Sequence, residues 1–193
     1  MELRIEKHIR LSFENSAQIV ECYHSLHVDY PRFFKMDGLS KLGFLASEMI
    51  FGDGMAFGDG QSRFAPREQI AVICFNRSSS LDTDTQFEAT IGGENYFPSP
   101  SLFVYTLPNI VTGEIAIRNM FFGETSFYIC EAFDAKQIVR TVENAFFDNA
   151  TTAVLAAWIE HFGERREVLM ALVGRGKGGT EFTEQQLNTL YNA

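Results

Sequence analysis

Residues 109–160 read "NIVTGEIAIRNMFFGETSFYICEAFDAKQIVRTVENAFFDNATTAVLAAWIE", and the succession of patterns within them decides the fold. The opening part, 109–122, is apolar on more than one side, as a largely buried helix is, and Gly113 offers a place for close packing. Residues 125–130 are a short aromatic and β-branched run, which predicts a strand. Asp134 with Gln137 resembles a capping box and opens a helix. Behind it Ala135, Ile138, Val139, Val142, Ala145 and Phe146 recur at helical spacing and make one apolar face. The run "AVLAAWI" (153–159) is continuously apolar, the mark of a strand covered on both faces.

Working outward, "IAVICF" (70–75) and "VLMALV" (168–173) are two more such runs, whereas residues 3–12 alternate like a half-exposed strand. Leu42, Leu45, Ala46 and Met49 share one helical face. "FTEQQLNTLYNA" reads as a short capped helix at the C-terminal end, and "FGDGMAFGDG" (51–60) and "GRGKGG" (174–179) as loops. Strand, helix, strand, helix, strand, helix, strand, strand is the order of an α/β layered domain. There is no internal repeat and no Pro-rich linker, so residues 1–193 are read as one domain.

With 46% apolar and 21% charged residues the composition is that of a globular chain, though 19 phenylalanines are many and hint at association. Cys22, Cys74 and Cys130 form neither a CxxC pair nor an even set, so no disulfide framework and no metal site is expected. Neither a signal peptide nor an apolar run of membrane-spanning length is visible, and a cytoplasmic setting fits. A net charge of -9 repels phosphate backbones and argues against nucleic acid as a partner.

Several motifs suggest chemistry and fail on detail. "GRGKGG" lacks the Walker spacing and its Ser or Thr, and Asp53 and Asp59 lack the ligand ladder of a calcium loop. His24 and His27 have no third ligand, and His161 stands alone after an apolar strand, where a structural role is expected. The loop "NRSSSLDTDTQFEA" (76–89) follows a buried strand, a position suited to a ligand or an interface, with Asn76, Ser78, Ser79, Ser80 and Asp82 as the candidate residues. The same residues serve equally well as a turn in which Asp82 or Thr83 caps a helix over 85–91. Ser78, Ser79 and Ser80 do not sit in a GxSxG elbow. Cys130, at the strand-to-helix turn, is the candidate nucleophile, but Glu131 and Asp134 beside it raise a thiol's pKa, which favours a buried structural cysteine.

Residues 98–160 resemble the heart of a β-ketoacyl synthase of the thiolase superfamily. The resemblance is carried by Pro108, Asn109, Gly113, Ile115, Ala116 and Gly123, then strand 125–130, helix 135–147 and strand 153–158. "GLSKLGFLASEMIF" (38–51) and "IAVICFNRSSSLDTD" (70–84) fit the family's first long helix and second core strand with its loop. It implies one layered α/β half of the thiolase-like fold, a mixed five-stranded sheet with helices on both faces, and no cofactor. In the family the nucleophilic cysteine lies about nine residues after the turn glycine and about twenty before the next strand. By this resemblance both counts, from Gly123 and from Thr152, fall on Ala132, which has no nucleophilic atom. Cys130 falls two residues early, a displacement of roughly 6–7 Å along a strand.

The family's second half, with its catalytic histidines, has no counterpart after residue 174. The resemblance therefore implies an N-terminal half-domain like the short ketosynthase-like proteins of aryl-polyene or fatty-acid-type pathways. In the family the strand before the nucleophile pairs across a twofold axis, which makes 124–130, with Thr125, Phe127 and Ile129, the expected dimer strand. Partners implied are a second copy or a full ketosynthase, and an acyl carrier protein. Docking of an acidic carrier protein requires Arg165, Arg166, Arg175 and Lys177 to form a local basic patch on this acidic chain. The expected function is a non-catalytic or accessory 3-oxoacyl-(acyl-carrier-protein) synthase-like component of fatty-acid or polyketide synthesis. The alternatives are an active condensing subunit that uses Cys130 with a partner chain, and a binding module unrelated to acyl chemistry.

Overall fold

The computed structural model describes residues 2–52, 66–91 and 98–193. Asp53 and Asp59 lie outside the described residues. The elements run β1 (Arg4–Ser12), α1 (Ser16–Ser25), a 3-10 helix (Pro31–Lys35), α2 (Gly38–Phe51), β2 (Ile70–Asn76), α3 (Leu81–Glu88), α4 (Pro100–Tyr105), α5 (Ile110–Asn119), β3 (Thr125–Ile129), α6 (Ala135–Ala145), β4 (Ala153–Phe162), β5 (Arg165–Gly174), β6 (Thr180–Glu181) and α7 (Glu184–Tyr191).

The strands form one mixed sheet in the order β3-β2-β4-β5-β1-β6. β3 and β4 run parallel to β2, while β5 is antiparallel to both β4 and β1. The sheet has six strands where five were expected. The addition is the two-residue β6, which pairs Thr180 and Glu181 with Ile5 and Arg4 and is too short to carry a sequence pattern.

Apolar runs become central strands because both faces of the sheet are covered. Along β2, Ile70, Val72 and Cys74 enter the core beneath α1, α2 and α5, while Ala71, Ile73 and Phe75 enter the core beneath α6 and α7. β4 divides likewise, with Leu155 and Ile159 on the first side and Val154 and Trp158 on the second. β1 breaks the rule of two: Ile5 belongs to the second core and Ile9 and Leu11 to the first. A register shift between Ile5 and Lys7 explains the switch, since one extra residue turns every later side chain to the opposite face.

α2 is buried on more than the one face its apolar spacing marks. Glu48 sits inside and is met by Arg118 of α5 through two contacts, at 2.7 and 3.2 Å. Arg118 also lies over the rings of Tyr30 and Phe44, at 4.8 and 5.7 Å. The glycine that permits close helix packing is Gly43 of α2, where a methyl group would stand 2.5 Å from Val111. The expectation for Gly113 is corrected, because a methyl group there would meet nothing within 4 Å.

The caps are side-chain acceptors. Asp134 accepts from the Gln137 amide at 3.0 Å and Thr183 from the Gln186 amide at 3.2 Å, fixing the starts of α6 and α7. The expected helix over 85–91 begins earlier, at Leu81, and neither Asp82 nor Thr83 caps it. Ser80 holds the cap position without a side-chain capping bond, because its hydroxyl is drawn 2.6 Å from the Thr106 carbonyl.

Candidate functional site

β3 is an edge strand. Its residues pair with β2 from Val72 opposite Thr125 to Asn76 opposite Ile129, and no strand among the described residues covers its other side. Phe127 turns inward against the core, and Tyr128 stacks on Phe75 with ring centroids 5.3 Å apart. The edge is nevertheless apolar and open: Ile129 is 57% exposed, and Phe122, in the turn that leads into the strand, is 61% exposed. Ile117, on the helix before that turn, is exposed to the same extent as Ile129. A parallel edge with unpaired amides and carbonyls between exposed aliphatic and aromatic side chains is a template for another chain.

At the carboxyl end of β3 the backbone amide of Cys130 donates to the Asn76 carbonyl at 2.8 Å, so the residue continues the ladder for one more bond. Burial first, and then the charge of Asp134, push the Cys130 thiol above its ordinary range. Ala132 lies exposed in the bend between β3 and α6. The hollow of 540 Å³ at this junction is lined by both residues together with Phe133, Lys136, Glu184 and Asn188, and no histidine lines it. The causes that act on the thiol both raise its pKa, and no imidazole stands in the hollow to take its proton.

The loop after β2 is engaged internally. The Asn76 amide group brackets Ser79, donating to its carbonyl at 2.8 Å and accepting from its amide at 3.0 Å. Ser79 is held with φ 50°, a left-handed conformation that this bracket stabilises. Ser78 donates its hydroxyl to Glu160 at 2.8 Å and its amide to the same carboxylate at 3.2 Å, and the Arg77 amide donates to it as well. Three donors thus surround a carboxylate with no exposed surface. Asp82 turns the other way, with Oδ2 2.8 Å from the Gln86 side-chain Nε2 and 3.4 Å from Nδ1 of His161. The hydrogen bond from His161 is the chief reason its carboxyl sits below the ordinary aspartate range.

His161 is the last but one residue of β4 and packs on the first turn of α2. Near it Asp37 caps α2, accepting from the Ser40 amide at 2.9 Å and from Thr83 Oγ1 at 3.2 Å, and its burial drives the carboxyl above the ordinary range. Asp37 and Lys41 are absent from the sequence candidates because each reads as a polar position at the start of an amphipathic helix. Glu160 and His161 are charged or polar residues that end an apolar run, which is the sequence signal that marks them. His24 and His27 belong to no metal-ligand cluster among the described residues.

The four cations that carrier-protein docking would need in one basic patch are divided. Arg165 and Arg166 start β5 and Arg175 follows its end, so the strand holds the two groups roughly 30 Å apart. Arg175 lies over the ring of Phe146 at 5.1 Å and donates to its carbonyl at 2.6 Å. No helix among the described residues is long and apolar enough to cross a membrane.

No protein-family model matches the chain, and no curated protein sequence matches it. Solved structures do. The ishigamide ketosynthase/chain length factor superposes with a TM-score of 0.69 at 15% identity, over 94% of this chain and 64% of that one. A ketosynthase in complex with its chain length factor from Xenorhabdus doucetiae gives 0.63 at 12% identity, over 100% of this chain and 91% of that one. A type II polyketide synthase acyl-carrier protein in complex with its ketosynthase bound to the hexaketide gives 0.59 at 12% identity, over 90% and 62%. The chain thus spans less than two thirds of the first and third of these chains, and nearly the whole of the second. The likeness shows a ketosynthase-like fold of the thiolase type.

Proposed function

We propose that this chain is a non-catalytic, chain-length-factor-like subunit that pairs with a ketosynthase in fatty-acid or polyketide synthesis of the aryl-polyene type. The observation that carries this reading is the open edge of β3, which ends at a strand-to-helix junction with Ala132 in the bend and a thiol of raised pKa before it. An edge strand with Ile129 exposed calls for a partner strand, and a junction without a base beside its thiol does not form an acyl thioester. The Xenorhabdus structure supports the reading because it joins a ketosynthase to a chain length factor, and the chain matched there is of nearly this length. Acyl groups then reach the pair on a carrier protein that docks on the ketosynthase, since the cations that docking on this chain would need together are divided.

Co-expression with a full-length ketosynthase of the same organism, followed by native mass spectrometry, tests the proposal. The expected species is a one-to-one complex that Ile129→Lys dissociates without lowering the melting temperature of the isolated chain. A ketosynthase that remains a homodimer beside an unattached chain overturns it, as does a homodimer of this chain that persists in the ketosynthase's presence.

A further inference from the structure

The carboxyl end of β4 opens, beside α2 and α3, onto a cavity of 380 Å³, within the range of small-molecule sites, on the side of the sheet that carries α2. Its acceptors are already engaged. Asp37 takes the Ser40 amide and the Thr83 hydroxyl, and Asp82 takes Gln86 and His161. Its donors are not. The Lys41 ammonium makes no hydrogen bond or ion pair among the described residues; it feels the charge of Asp37 and stands 5.8 Å from the Phe33 ring centroid, half-buried. Arg166 commits one guanidinium nitrogen to the Glu14 carbonyl at 3.3 Å, and Lys35 lies exposed at the rim. His161 uses Nδ1 on Asp82, leaving Nε2 without a partner among the described residues. Three cations therefore face two carboxylates that are satisfied internally, while Ile19 and Leu102 add an apolar wall.

An excess of donors around a partly desolvated cavity is complementary to an acceptor-rich anion. We propose that this pocket binds a small organic oxyanion, a carboxylate or phosphate with a short apolar body, and that Lys41 is its principal charged contact. Burial depresses the pKa of Lys41, and a bound anion reverses that effect, so occupancy and the charge of the lysine reinforce each other. The pocket lies across the sheet from α6 and includes no residue of β3 or of the Cys130 junction. It therefore stands independently of the partnership proposed above.

Amide proton–nitrogen spectra of the full chain, titrated with inorganic phosphate and separately with butyrate against chloride at equal ionic strength, test the site. The expected result is saturable shifts confined to residues 16–20, 35–41, 82–86, 101–105 and 161–166, at least tenfold weaker binding in Lys41→Met, and retention in Lys41→Arg. Saturation by phosphate alone assigns a phosphoryl group, by butyrate alone a carboxylate, and by both the shared oxyanion chemistry. Shifts that chloride reproduces, no saturation with either probe, or equal binding by a folded Lys41→Met chain overturn the proposal.

Discussion

Gly38 lies directly against the imidazole of His161: a methyl group at position 38 would stand 2.1 Å from Cε1. Alanine is the better helix former by about 1 kcal/mol, yet here the ring must move to admit it. Overpacking of this kind costs ~1–3 kcal/mol, so Gly38→Ala is expected to destabilise the fold in urea titration despite the gain in propensity. His161→Ala in the same chain should recover most of the loss, and a double-mutant cycle reads the coupling.

Ser78→Ala removes one of three donors from the buried Glu160 carboxylate. Hydrogen bonds to a charged group are worth ~1.5–3 kcal/mol, and a lower urea midpoint at unchanged slope is the expected result. Ser78→Thr, which keeps the hydroxyl, should lie close to the parent. Equal stability of the alanine variant would show that Glu160 does not depend on the loop.

The Cys130 thiol is raised by burial and by Asp134, and the Cys74 thiol by complete burial to about 12. A raised thiol pKa means less thiolate at neutral pH, so alkylation by iodoacetamide should be slower at Cys130 than at a free cysteine and should accelerate only above the ordinary thiol range. Asp134→Asn keeps the cap on α6 and removes the charge, and faster labelling of Cys130 by mass spectrometry is expected. Labelling of Cys130 at neutral pH faster than that of a model thiol would revive a nucleophilic role.

Asp82 and Asp37 lie to either side of His161 and respond to acid in opposite directions. The folded pKa of Asp82 is lowered, by His161 first, so its contribution is present above the ordinary aspartate range and is lost as pH falls through the depressed value. The folded pKa of Asp37 is raised by burial, so the fold gains as pH falls from that raised value toward the ordinary range. Urea midpoints measured across acid pH should therefore show a flatter acid limb in Asp82→Asn and a steeper one in Asp37→Asn. Parallel curves for the two variants would contradict the assigned causes.

The layered fold was legible where burial is two-sided. The runs 70–75, 153–159 and 168–173 are the interiors of β2, β4 and β5, and the spacing of Ala135, Ile138, Val142 and Ala145 is the inward face of α6. What stayed hidden depends on contacts between distant residues. Gly38 and Gly43 look ordinary in sequence, and only the approach of His161 and Val111 gives them meaning. Nothing in the sequence pairs Glu48 with Arg118 or Glu160 with Ser78, because the partners lie 70 and 82 residues apart. The loop 76–89 reads equally as a binding loop or a turn; Asn76, Ser78 and Ser80 are engaged within the fold, and Asp82, held by Gln86 and His161, forms part of the pocket wall.

The pairing of β1 sets a condition on synthesis. Arg4 faces Gly174 and Ser12 faces Glu167, so β1 must wait for β5, more than 150 residues later, before its ladder closes. β2 meets β4 across a gap of 83 residues, from Ile70 to Ala153. During translation neither core has its full sheet, and the apolar runs of β2 and β4 emerge before β5 can cover them. Long-range pairing of this kind folds slowly and leaves hydrophobic strands exposed in the interim. Until β5 is made, the apolar faces of β2 and β4 present the kind of surface that chaperones cover.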